Sequence, residues 1–429
     1  MHSYQRMVVC LGAFALAAGL ALATQARPNA MASGWARISG PSQAGNQLGL
    51  ARTADGVLHV AWNRGNTSTS IFETRISPTG RVAGTSTIAT GWDGNGGLAL
   101  LALPDKSLQL FAPGTGGIRT FTAPEGGGAW AAQGSGWGGA IAESSYVIGA
   151  TLTKDGRSVT AWRGFAAEGV PPASIPPSPY QGGMSESFLA TDAASGAVVL
   201  SGSTNSGQGG FYAQQVLPGA GNRVVIPPLA KEWGEGLSAR IGQPGVYVAY
   251  ADGKAAHLYR YGGASKTLAR GTFSSATVCT GPAGRLWVVW GDGAGGLSVT
   301  RSSKSVGAFE PTQKLKLPQG ALTFVQCEGS AGPLDLFASG QPGGGFSYTH
   351  VLARLSVRSA GAKGKATISV RDAGDPVAGV TVVVGAKHGT TDARGQATLL
   401  LAPGSYTARA SAPGYASASA RVTVPKKTG

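Results

Sequence analysis

The chain has 429 residues, of which 13% are charged and 69 are glycine. That composition suits many short strands and tight turns and excludes long solvated helices. Its 35 Lys and Arg outnumber 20 Asp and Glu, giving a net charge of +15. No basic run exceeds Lys426-Lys427 and no nucleic-acid-binding motif accompanies the excess, so nucleic acid is excluded as a partner. The charge then reads either as attraction to an anionic surface or as a scattered compositional bias.

Residues 1–26 read as a secretory signal. Arg6 precedes an apolar run from Met7 to Ala23, and small residues follow, with cleavage after Ala23 or Ala26. The run is short for a membrane span, which needs about 20 apolar residues, and no later segment is suited to spanning. The expectation is an exported chain without a membrane span, secreted or periplasmic.

Residues 27–357 carry a phrase repeated seven times, a tight turn followed by a short apolar strand. It stands first as Asp55-Gly56 before Leu58, Val60 and Trp62. It recurs at Asp105-Lys106, Asp155-Gly156, Ser195-Gly196, Pro244-Gly245, Ala283-Gly284 and Ala331-Gly332. The spacings between the last residues of these turns are 50, 50, 40, 49, 39 and 48. One four-stranded propeller blade occupies about that length. Each repeat reads strand, turn, strand, hairpin, strand, strand, with Leu286, Val288 and Trp290 on one face of a strand by the period of two. The fold class is therefore all-β, a propeller of seven blades with six and eight as alternatives. Trp35–Ser39 is placed to add the missing strand to the last blade.

Within this region Pro171–Pro179 holds five prolines and reads as an irregular loop. Cys279 and Cys327 each stand five residues before a turn glycine, so they occupy equivalent places on neighbouring repeats. In an oxidising compartment they predict a disulfide, provided adjacent inner strands come within about 7 Å between Cα atoms.

Residues 358–364 are small and polar and read as a linker. From 365 to 425 five alternating segments are separated by turns at Asp375-Pro376, Asp392–Gly395 and Pro403-Gly404. This unit predicts a small β-sandwich near the lower size for independent folding.

The C-terminal unit carries Val370-Arg371-Asp372 with Pro376–Val382, then Gly389–Ala397, Leu401–Thr407 and Ala412–Tyr415. In these residues it resembles the carboxypeptidase regulatory-like domains, which are prealbumin-like sandwiches. The resemblance implies a non-catalytic accessory or carbohydrate-associated module. In the propeller region, Ser303-Lys304-Ser305-Val306-Gly307-Ala308-Phe309 keeps the Ser, the Gly and an aromatic of the Asp box. On that motif the region resembles the sialidase-type, or BNR-repeat, families. The motif's Asp is absent and its aromatic comes one residue early. Neither an arginine triad nor a Tyr–Glu pair can be placed by motif.

Ligands of such a propeller would meet the mouth of its channel, where the inner strands begin. Ten residues before each turn residue stand Asn46, Gly96, Tyr146, Glu186, Glu235, Ser274 and Leu322. Glu186 and Glu235 fall in register on adjacent repeats. They read as a general acid/base pair, which a glycosidase needs about 5–10 Å apart, or as solvated loop acids. The segments leading into these strands carry Trp92, Trp130, Trp137, Tyr180, Trp233 and Phe273. Such rings could stack on sugars, with the Glu186, Glu235 and Asn46 side chains fixing hydroxyls, or plug the gaps between blades. Trp92, Trp137, Tyr146, Tyr180, Trp233 and Asn46 are the ligand-binding candidates. The histidines stand singly in sequence, so no metal site is expected, and no cofactor motif is present. These residues predict a binding protein for a glycan or cell-surface polymer. The alternatives are a divergent sialidase-like glycoside hydrolase using Glu186 and Glu235, or a protein-binding scaffold.

Overall fold

The computed structural model describes residues 34–39, 47–63, 70–91, 97–114, 117–137, 148–162, 165–167, 184–204, 211–219, 221, 224–226, 236–317, 320–341 and 345–426. Among them the chain is all-β save one turn of 3₁₀ helix at Pro282–Gly284.

Up to Val351 the strands form consecutive antiparallel sheets. The first runs Gly49–Arg52, Leu58–Asn63, Ile71–Ile76 and Val82–Ala89. The second starts at Ala99–Ala102. The third, of three strands among the described residues, starts at Ile148–Leu152. The fourth starts at Met184–Thr191 and the fifth at Gly236–Ala239. The sixth comprises Ser275–Thr280, Leu286–Gly291, Gly296–Arg301 and Gln313–Lys316. The seventh takes Ala321–Glu328, Leu334–Gln341 and Phe346–Val351, and Ala36–Arg37 pairs with its third strand. The first strand of each sheet packs against the first strand of the next, the arrangement of a β-propeller.

The recurring turn joins the first and second strand of every sheet. The backbone there must turn back within about four residues, so one residue takes positive φ. Gly56, Gly156, Gly196, Gly245, Gly284 and Gly332 do so, with φ between 78° and 120°, and Lys106 does so at 70°. Glycine bears this conformation without a Cβ clash.

The second strands are buried on both faces; Leu58–Asn63, Val246–Ala251 and Leu286–Gly291 have no exposed residue. The reason is that apolar clusters alternate with the sheets. Ala61 and Ile71 of the first sheet pack against Leu100 and Leu110 of the second. Val248 and Tyr250 of the fifth pack on Val199 and Ala213 of the fourth. Leu58, Val60 and Trp62 of the first sheet meet Phe324, Phe337 and Tyr348 of the seventh. The start and end of the propeller region therefore share a core.

Inner strands approach closely. A Cβ added to Gly236 would stand 2.5 Å from the Val278 amide nitrogen of the next inner strand. This proximity allows Cys279 and Cys327 to form a disulfide, with Cα atoms 5.7 Å apart.

The segment 358–364, expected to be a linker, is instead part of a hairpin. Ser356–Ala362 pairs with Lys365–Asp372 around a turn with Gly364 at φ 69°. Small polar side chains hide this strand in the sequence, because only Val357 among them packs on the core. Lys365–Asp372 also pairs with Gln396–Leu400. A second sheet orders Lys387–Thr390, Thr381–Val384, Gly404–Ser411 and Ala418–Val424. Ile368, Val370, Val382, Val384, Ala408 and Val422 from the two sheets share one core.

Candidate functional site

The inner strands enclose an axial cavity of about 220 Å³, bordered by Leu48, Leu100, Ala150, Phe188, Leu237, Val278 and Cys327 among others. Every sheet contributes to its wall. Polar groups reach it from Gln47, Ser238, Thr277, Thr280, Gln326 and Glu328. Two of these are committed to joining the seventh sheet to the first. The Gln326 amide accepts the Leu48 N–H at 3.0 Å and donates to the Leu48 carbonyl at 3.0 Å. Glu328 accepts from Arg52 Nε at 2.6 Å.

Arg52 also donates to Asp335, which accepts from the Tyr348 hydroxyl at 2.6 Å and stands 2.8 Å from His350 Nδ1. Burial pushes the Tyr348 hydroxyl upward, and the Asp335 carboxylate reinforces the shift, so this tyrosine stays a donor. Glu328 is the one carboxylate among the described lining residues, and a guanidinium already holds it.

Asn46, Trp92, Tyr146, Tyr180, Trp233 and Glu235 lie outside the described residues, as do Pro171–Pro179. Glu186 and Trp137 are placed by backbone alone. Glu186 sits opposite Ser203 beside a register shift, and Trp137 opposite Ile118. Two other aromatics of these segments have packing roles. Trp130 donates to Glu73 at 3.0 Å, and Phe273 meets Trp290 edge-on at 6.4 Å.

Histidines that stand singly in the sequence acquire carboxylate partners in space. His59, fully buried, sits 2.6 Å from Glu73, His350 pairs with Asp335, and His257 Nε2 lies 3.0 Å from Asp252. Burial disfavours the Glu73 charge, yet hydrogen bonds from His59, Trp130 and the Gly128 amide outweigh it and hold the carboxyl below its ordinary value. No group of three or more potential metal ligands occurs among the described residues. Among them, too, no helix is long and apolar enough to cross a membrane.

A further charged cluster joins the sixth sheet to the C-terminal domain. Asp372 accepts from Arg301 Nη2 at 2.5 Å and from the Tyr415 hydroxyl at 2.8 Å, and it lies 3.0 Å from Arg285 Nε. Asp375 accepts from Arg285 and from the Lys304 amide, both at 2.7 Å. The Asp-box-like turn supplies Lys304, so here it serves as a contact to the C-terminal domain. Arg301 lies between the rings of Trp287 and Tyr415, at 5.1 and 5.0 Å. Burial drives the neighbouring Glu310 up to about 8, only partly countered by Arg301. Sequence reading missed this cluster, because its members come from three separate segments, 285–310, 372–375 and Tyr415, with no local spacing to mark their meeting.

Residues 366–429 match the carboxypeptidase regulatory-like domain family. No curated protein matches the chain by sequence. Among solved structures it is similar to AofleA from Arthrobotrys oligospora, at 15% identity over 64% of this chain and 88% of that one, TM-score 0.41. It is similar to Aleuria aurantia lectin in complex with Fucalpha1-6GlcNAc, at 12% identity over 73% and 97%, TM-score 0.42. A third is polysaccharide lyase Uly1, at 11% identity over 76% and 94%, TM-score 0.41. Likeness at this distance carries no argument about ligand or activity.

Proposed function

We propose that this is an exported, non-enzymatic binding protein for a glycan or cell-surface polymer. Its site is the axial mouth of a seven-bladed propeller, and its C-terminal β-sandwich is an accessory module. Residues 1–26 are the export signal in this reading. The observation that carries it is the axial cavity: inner strands from every sheet converge on it, and its one described carboxylate is held by Arg52. Among the described residues such a wall offers the hydroxyls of Ser238, Thr277 and Thr280 to a neutral ligand and no pair of carboxylates. The segments that enter these strands hold Trp92, Tyr146, Tyr180 and Trp233, whose flat faces suit sugar stacking.

The test is a glycan-array screen of residues 27–429 beside Trp233→Ala. Binding lost in the variant, with an unchanged melting temperature, is expected. Absence of binding to every glycan would overturn the reading and favour a protein-binding scaffold. Hydrolysis of a bound glycan, abolished by Glu186→Gln or Glu235→Gln, would favour the hydrolase.

A further inference from the structure

Residues 365–429 hold eight Lys and Arg against three Asp and no Glu. Two of those acids are removed from the domain's outer field. Asp372 is fully buried against Arg285 and Arg301, and Asp375 is paired with Arg285. The third, Asp392, closes its own turn by accepting the Arg394 and Gln396 amides. Docking onto the propeller thus leaves the domain's exposed surface strongly cationic.

One face concentrates this property. The sheet Lys387–Thr390, Thr381–Val384, Gly404–Ser411 and Ala418–Val424 contains no Asp or Glu. Val382, Val384, Ala408, Ala410, Val422 and Val424 point into the core, so their alternates point outward. Arg409 stands opposite Ser419, and Arg421 opposite Thr407. The two arginines are diagonal neighbours, with Cβ atoms roughly 7–8 Å apart, and both are exposed. Exposed Thr381, Thr407, Ser411 and Thr423 surround them with hydroxyls.

We propose that this outer face binds an acidic polysaccharide, with Arg409 and Arg421 pairing its carboxylates or sulfates and the hydroxyls bonding its sugar oxygens. Charge complementarity selects a polyanion. On this sheet Tyr406 packs on the core and donates to the Ala402 carbonyl, and the outer face carries one ring, the exposed imidazole of His388 opposite Val383, too few to stack on successive bases. Its one large exposed apolar side chain is Val383, too little for insertion into a lipid surface. The site is separate from the propeller mouth, and its failure would leave neutral-glycan binding there untouched.

The experiment is affinity electrophoresis of residues 27–429 through gels containing polygalacturonate, with neutral pullulan as reference. Arg409→Ser/Arg421→Ser is compared with Arg358→Ser/Lys365→Ser, which removes the same charge from the other sheet. The proposal expects retardation by polygalacturonate that weakens about ten-fold in the first variant and less than about two-fold in the second. Neutral-glycan binding at the propeller is expected to be equal in both. Absence of retardation, or equal losses in the two variants, would overturn it, as would displacement by single-stranded DNA at matched charge.

Discussion

Lys106 holds φ at 70° in a turn where glycine occupies the same place in the other six sheets. A side chain in this region costs about 1 kcal/mol or more, offset in part because glycine is freer in the unfolded chain. Lys106→Gly is expected to raise stability by about 0.5–1 kcal/mol, read as a higher urea midpoint at unchanged slope. An unchanged or lower midpoint would contradict the strain. At the same scale, pairing separates what a residue type suggests from what it does. His59 and Glu73 are chemistry-bearing residues placed in a buried, fully bonded knot, where they hold two sheets together.

Among elements, the inner strands are set apart by their closeness to one another. The Cys279–Cys327 bond joins the inner strands of the sixth and seventh sheets across 48 residues. By chain entropy such a loop is worth about 4 kcal/mol, and about 2–4 kcal/mol is the usual measured range. Cys279→Ser/Cys327→Ser is expected to lower unfolding free energy by that amount, with reductant doing the same to the native chain. Insensitivity to reductant would mean the bond is not formed. The strand Ser356–Ala362 gives the opposite lesson about elements. Its pairing rests on backbone hydrogen bonds, which small polar side chains do not advertise.

At the scale of the whole molecule, the propeller and the C-terminal domain meet through charges removed from water. Glu310 lies at this junction beside Arg301, Asp372 and the Arg354 amide, and its pKa is raised from 4.5 to about 8. A carboxyl raised on folding favours the native state fully below its unfolded pKa. That contribution is lost as pH rises through the folded value. Stability is therefore expected to fall between pH 4.5 and about 8 through this group. Glu310→Gln should flatten the fall and melt higher than the native chain at pH 9. A native chain whose melting temperature holds constant from pH 5 to 9 would refute it. Glu73 acts in the reverse sense: its lowered carboxyl is a stabilising group at neutral pH and loses that effect on acidification.

The sequence by itself determined the parts whose physics is local. A turn that needs positive φ selects glycine, and an inner or second strand needs alternating or continuous apolar residues, so Gly56, Gly284, Leu58 and Trp290 mark repeats without reference to neighbours. The two cysteines, at matching positions of successive repeats, announced their bond for the same reason, and the motifs at Pro376–Val382 and Gly389–Ala397 marked the C-terminal domain. Tertiary structure alone decided which charges meet. Arg52 reaches Glu328 and Asp335 from the other end of the propeller region, and Arg285 and Arg301 reach Asp372 in another domain. Burial makes an ion pair depend on the partner that arrives in space, and no spacing along the chain encodes that arrival.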